Sequence, residues 1–195
     1  LGAGNDETTI SINLGTGSQV GLINLNNPNA ECRPYFNSST LSVITHIPSG
    51  RALNQFIKFL NSINPNQNFW EILDKVSIEQ IKKSDLNIDL AIFKSAYGYK
   101  NSGVIENITE SNFELQNYLS SLLRCYITQY KTAIEELSPN KKFTKIVLSG
   151  GIPIKLPIIK DYLNEITGYK VEQVIQNIDE TLIGLQKIAM NCKIN

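Results

Sequence analysis

Two short turns hold the residues best suited to chemistry. The first is Gly15-Thr16-Gly17-Ser18, entered from the alternating run Thr9-Ile10-Ser11-Ile12-Asn13-Leu14 and left through Gln19-Val20. Glycines at 15 and 17 permit positive φ, which would turn successive backbone N–H groups to one side, and Thr16 and Ser18 add hydroxyl donors. Such a hairpin tip can hold a polyanion the size of a phosphate without a lysine, although an ordinary tight turn uses the same residue types. The second is Ser149-Gly150-Gly151, between the apolar run Lys145-Ile146-Val147-Leu148 and a helical segment. Paired glycines there clear the crevice at a buried strand's carboxyl end for something flat or anionic; close strand-helix packing asks for the same pair. Together the two turns point to a nucleotide-like ligand. Neither a Walker-type lysine nor G-x-G-x-x-G accompanies them, which excludes the usual P-loop and Rossmann sites.

Eighteen basic residues balance eighteen acidic ones over 195 residues, so the chain has no net field to attract a nucleic acid. No uninterrupted apolar run is long enough to cross a bilayer and no signal peptide opens the sequence, so the reading is cytoplasmic, with no membrane partner. Cys32, Cys125 and Cys192 are scattered without metal-ligand spacing, which indicates neither a disulfide framework nor a zinc site. The single histidine, His46, stands between Thr45 and Ile47 and reads as a sheet residue. The chain lacks an initiator methionine and passes from Leu1-Gly2-Ala3-Gly4 almost directly into the phosphate-type hairpin, so it reads as a piece of something longer.

The elements that must position these turns follow from periodicity. Leu41–His46 is rich in β-branched residues and predicts a strand, after which Pro48-Ser49-Gly50 opens a helix with the stripe Leu53, Phe56, Ile57 and Leu60. Phe69–Lys83 predicts one helix whose apolar contacts are Trp70, Leu73, Val76 and Ile81. Glu110–Leu137 predicts a long amphipathic helix capped by Thr109 or Ser111 and carrying Phe113, Leu115, Leu119, Leu122, Leu123, Tyr126, Ile127 and Tyr130. Lys145–Leu148 then predicts a buried strand, Ile154–Thr167 a helix, Val171–Ile175 a strand and Glu180–Met190 a last helix.

Ser11–Val20, Arg33-Pro34-Tyr35-Phe36, Ser49-Gly50-Arg51-Ala52, Gly103-Val104-Ile105 and Ile146–Gly151 occur in an order that resembles the carboxy-terminal domain of FGGY-type carbohydrate kinases, the sedoheptulokinase-like branch in particular. The resemblance spans residues 1–195. It implies an α/β, ribonuclease-H-like domain of the actin-like ATPase type, a mixed sheet flanked by helices, forming one lobe of a two-lobed kinase. It also implies ATP and Mg²⁺ in the cleft, a ketose or polyol substrate, the protein's own amino-terminal lobe as partner, and a second copy of the chain as a candidate partner.

On this resemblance Gly15, Thr16, Gly17 and Ser18 stand beside the ATP phosphates, with Gly50 at a helix start that faces them. Asn54 reaches the ribose or base, Gly150 and Gly151 flank the adenosine, and Lys155 is near the base. Backbone amides and helix starts are suitable donors to a transferring phosphoryl group. The family's general base is an aspartate in a Gly-Asp motif, just before the stretch that Leu1-Gly2-Ala3-Gly4 resembles, so it would precede this chain. Asp6 reads instead as a turn residue with Asn5. The sequence departs from the family at Ser49, where a glycine is expected, at Gly98-Tyr99-Lys100 and at Gly184-Leu185-Gln186. Two other readings stay open: an ATPase of the N-acetylglucosamine-kinase or BadF type, and a nucleotide-binding or interaction module that no longer transfers phosphate.

Overall fold

The structure, a computed structural model, describes residues 6–25, 27–28, 30–140, 143–174 and 180–191. Asn5, Leu1-Gly2-Ala3-Gly4, Ile175 and Cys192, which figured in the sequence reading, lie outside the described residues. Eight strands occur among the described residues: β1 Thr9–Leu14, β2 Gly17–Ile23, β3 Glu31–Pro34, β4 Thr40–Pro48, β5 Asn87–Ile88, β6 Ile105–Glu106, β7 Lys145–Ser149 and β8 Lys170–Gln173. The helices are α1 Gly50–Ile63, α2 Phe69–Asp74, α3 Ile78–Lys83, α4 Leu115–Leu137, α5 Gly151–Lys155, α6 Ile158–Thr167 and α7 Glu180–Asn191.

Six strands form one mixed sheet in the order β3-β4-β2-β1-β7-β8. β1 and β2 are the antiparallel arms of the expected hairpin, with Ile12 opposite Val20, and β1 runs parallel to β7, with Ile12 opposite Leu148. Alternation along β1 explains the layering: Ile10, Ile12 and Leu14 are buried on one face, while Ser11 and Asn13 are more open on the other. The buried face receives the apolar stripe of α4, in which Leu119, Leu122, Leu123, Tyr126, Ile127 and Tyr130 are all buried. Among the described residues no helix is long and apolar enough to cross a membrane.

The mixed α/β sheet flanked by helices agrees with the expected architecture, and four boundaries differ for identifiable reasons. The helix expected over Phe69–Lys83 is two helices, because Ser77 starts a new one. Its hydroxyl accepts from the Gln80 amide at 3.3 Å while the Gln80 side chain accepts from the Ser77 amide at 2.8 Å, a reciprocal cap. The segment Ile154–Thr167 is likewise broken, since Pro157 lacks an amide donor and disfavours helical backbone at Leu156. The long helix begins at Leu115, not near Glu110, because the Thr109 amide donates to the Asn112 side chain at 2.8 Å and closes a turn of its own. That leaves Phe113 and Leu115 exposed. The short strand β3 adds to β4 as an edge that the sequence did not announce.

Candidate functional site

The hairpin tip and the start of α1 are bound to each other by backbone. The Gly50 amide donates to the Gly15 carbonyl at 3.0 Å and the Arg51 amide to the Thr16 carbonyl at 2.8 Å, while within the tip the Gly15 amide donates to the Gly17 carbonyl at 3.1 Å. These bonds correct the expectation that the start of α1 offers its amide at Gly50 to a phosphate, because that donor is already spent on the hairpin. The expected positive φ is also absent at Gly15 and Gly17; the described glycines that adopt it are Gly98, Gly150 and Gly168. Thr16 is exposed, and among the described residues neither its amide nor its hydroxyl has a hydrogen-bond partner. It is the donor that the tip leaves free.

Ser18 is corrected as well. Its hydroxyl is buried beneath the sheet, donates to the Ile47 carbonyl at 2.9 Å and lies 2.9 Å from the Tyr130 hydroxyl, so it props the hairpin instead of facing a ligand. A parallel support holds the start of α1, where buried Ser49 is 3.0 Å from the Tyr126 hydroxyl. The Tyr126 and Tyr130 rings meet edge to face at 5.3 Å. Burial pushes both phenols above their ordinary pKa, so they remain neutral hydrogen-bonding groups. Ser49 stands where the resemblance expects glycine, and Tyr126 supplies the partner that a buried serine needs.

Gly150 closes the second turn. With φ at 92° it lies so close to β1 that an added Cβ would approach the Leu14 carbonyl oxygen to 2.4 Å. This backbone geometry admits glycine alone and fixes the β7–α5 turn against the hairpin. Asn13 ties the two turns again by donating to the Ser149 hydroxyl at 3.0 Å.

The two turns enclose a cavity of about 470 Å³. Of the residues singled out in the sequence, Gly15, Thr16, Gly50, Asn54, Gly151 and Lys155 line it. Gly17 and Ser18 border a different cavity on the hairpin's other flank, and Gly150 lines neither. Arg51, Trp70 and Ile152 complete the first cavity, and sequence reasoning assigned none of them to the site. The Arg51 guanidinium rests 4.6 Å from the centre of the Phe93 ring and the Lys155 ammonium 5.7 Å from that of Trp70, so each cation is held against an aromatic face at the cavity's edge. The result is an amphipathic site: Thr16, Arg51 and Lys155 supply polar groups, and Trp70 and Ile152 an apolar wall.

Among the described residues no cluster of three or more His, Cys, Asp or Glu side chains is placed to hold a metal, and none that line the cavity carries a carboxylate. Asp6 is the turn residue the sequence suggested. One carboxylate oxygen accepts from the Thr8 amide at 2.9 Å and from the Thr8 and Thr9 hydroxyls at 2.9 and 2.7 Å. These bonds hold its carboxyl below the usual range. The length of β1, roughly 20 Å at about 3.3 Å per residue, separates Asp6 from the tip.

A six-stranded mixed sheet opened by a β-hairpin, with the site at the hairpin tip and the β7–α5 turn, defines an actin-like ATPase fold. Solved kinases share this fold. Xylulose kinase from Lactobacillus acidophilus superposes with a TM-score of 0.77 at 16% identity, over 98% of this chain and 41% of that one. Gluconate kinase from the same organism gives 0.76 at 14% identity, over 98% and 41%. Plasmodium falciparum glycerol kinase, solved with ADP, gives 0.64 at 11% identity, over 89% and 36%. The chain therefore spans about two fifths of the length of the kinases it resembles. No protein-family model matches the sequence, and no curated protein does.

Proposed function

We propose that this chain is the carboxy-terminal, ATP-binding lobe of an FGGY-type carbohydrate kinase, which transfers the γ-phosphate of ATP to a hydroxyl of a ketose or polyol. The observation that carries this reading is the convergence of two distant glycine turns on one amphipathic cavity, in a fold shared with sugar and glycerol kinases. The phosphates lie against the Thr16 amide and hydroxyl and the Arg51 guanidinium, whose planar fork suits phosphate oxygens. The base lies between Trp70 and the face that Gly151 keeps open, with Lys155 at its edge. Mg²⁺ would be held chiefly by the nucleotide phosphates, since none of the lining residues offers it a carboxylate, and would supply positive charge against the transferring phosphoryl group.

The transfer itself makes a bond from the acceptor oxygen to the γ-phosphorus and breaks the bond from that phosphorus to the bridging oxygen, whose electron pair leaves with ADP. The acceptor proton passes to a carboxylate of the opposing lobe; Asp6, a strand's length from the hairpin tip, is too distant to receive it. Closure of two lobes excludes water and aligns the groups, so this chain alone has no kinase activity. The test is ADP release by the full-length protein with pentuloses, hexuloses, heptuloses and glycerol. Turnover with at least one is expected. ATP binding without turnover on any of them would favour a module that no longer transfers phosphate.

A further inference from the structure

Thr16 and Arg51, the two groups assigned to the phosphates, belong to different elements, and both elements rest on α4. Two residues along from each of them a serine is buried: Ser18 on the tip side and Ser49 ahead of α1. Each serine meets a phenol of α4, Ser18 that of Tyr130 and Ser49 that of Tyr126. We propose that Tyr126 and Tyr130 are positioning residues, which set the placement of Thr16 and Arg51 against the transferring phosphoryl group without touching the nucleotide. The assignment rests on the kinase reading above, and three observations carry it.

The first is the choice of side chain. From Leu122 onwards the buried stripe of α4 is aliphatic except at Tyr126 and Tyr130, and both are fully buried. Phenylalanine would fill the same space and would bring no hydroxyl into the core, so packing alone does not ask for a phenol.

The second is where the hydroxyls go. Ser18 has one proton and gives it to the Ile47 carbonyl at 2.9 Å. In its 2.9 Å contact with Tyr130 the phenol is therefore the donor, its proton shared with the Pro48 carbonyl at 3.3 Å. Gln129 donates to the same Pro48 carbonyl at 2.7 Å. The Ser49 hydroxyl makes no capping bond to α1 and stands 3.0 Å from the Tyr126 hydroxyl. Three consecutive residues leading from β4 into α1 are thus held from below: Ile47 through Ser18, Pro48 by Tyr130 and Gln129, and Ser49 by Tyr126.

The third is rigidity. Backbone bonds already tie the tip to the start of α1, through Gly50 to Gly15 and Arg51 to Thr16. The phenols tie that pair to a third element, a helix of 23 residues on which they stand one turn apart with their rings edge to face at 5.3 Å. Loss of either hydroxyl frees one support of a step that depends on alignment.

The test uses the full-length protein, with Tyr130→Phe, with Tyr126→Phe joined to Ser49→Ala, and with Tyr118→Phe, a buried phenol about two turns earlier on α4, as control. Tyr130→Phe strands no buried group, since Ser18 keeps the Ile47 carbonyl and Pro48 keeps Gln129; the paired variant removes both members of its contact at once. Urea denaturation confirms that all three are folded. With ATP and the best acceptor among D-xylulose, sedoheptulose and glycerol, kcat should fall about tenfold in the first two variants. The KM for ATP and the affinity for adenosine should stay within about twofold, and the control should keep wild-type kcat. A merely structural phenol would lower the urea midpoint and leave kcat of the folded enzyme alone. Wild-type kcat in both test variants would overturn the assignment while leaving the kinase reading intact, as would an equal fall in the control or a loss of adenosine affinity as large as the loss in kcat. Wild-type protein that phosphorylates none of these acceptors would overturn both readings.

Discussion

Gly150 and Gly151 are neighbours in the chain and opposites in their surroundings. A Cβ on Gly150 would be driven into the Leu14 backbone, whereas one on Gly151 would meet no atom within 4 Å. The hairpin repeats the contrast: a Cβ on Gly50 would lie 2.7 Å from the Gly15 carbonyl oxygen, and one on Gly17 would meet nothing. In each case one glycine is required by the way the two turns pack on each other. The other borders a cavity, has ordinary φ, and is not demanded by anything in the fold. On the proposed function, it is these glycines, unexplained by packing, that keep a surface clear for a ligand.

Substitution separates the two kinds. Gly150→Ala combines a backbone clash with a conformation that alanine does not tolerate, and should lower stability by roughly 3 kcal/mol or more. Urea denaturation of this chain measures it, and a loss under about 1 kcal/mol would show that the turn relaxes freely. Gly50→Ala meets the Gly15 carbonyl and Ile152 but gains helix propensity, so a smaller loss of about 1–2 kcal/mol is expected by the same method. Gly151→Val should leave stability within about 0.5 kcal/mol of wild type and yet weaken ATP and ADP equally, by about tenfold, in calorimetric titration. Equal affinity in folded protein would make Gly151 as structural as its neighbour.

The smallest effect lies at the far end of β1, away from both turns. The Thr8 and Thr9 bonds hold the Asp6 carboxyl below its ordinary value, so they stabilise the folded chain above the usual carboxylate range and are lost as pH falls through the lowered value. The group is exposed, which keeps the effect slight. Asp6→Asn should therefore lower the urea midpoint slightly at pH 6 and leave it unchanged near pH 2, with nucleotide affinity unaltered throughout.

Local pattern was enough to find the hairpin, the strand-turn-helix at Ser149–Gly151 and, at those breaks in periodicity, Gly15, Thr16 and Gly151 of the first cavity, whereas Gly50, Asn54 and Lys155 were reached only through the family resemblance. What pattern could not show was direction. Ser18 and Thr16 are both hydroxyl residues of one tip, but only tertiary packing against Tyr130 decides that one points inward. Trp70 read as a core contact from its helical spacing, yet α2 buries Phe69 and Leu73 and leaves the indole half-buried at the cavity wall. Arg51 was visible only as part of a helix start; its place depends on Phe93, more than forty residues away in the chain. Nor did composition announce the β-bulge in β4, where Ser18 pairs with Ile47 and Val20 with Ile44 so that Thr45 and His46 together oppose Gln19, since a bulge is defined by the pairing of two strands and not by either alone.

Trp70 is also the chain's single tryptophan, which gives the proposed nucleotide site its own reporter. Emission excited at about 295 nm should change saturably as ATP, ADP or adenosine is added to this chain, and should not respond to inorganic tripolyphosphate, which lacks a base to reach the indole. Trp70→Phe should abolish the signal while calorimetry still detects ATP. If ATP at millimolar concentration produces neither a change in Trp70 emission nor a heat of binding, the cavity between the two turns is not a nucleotide site.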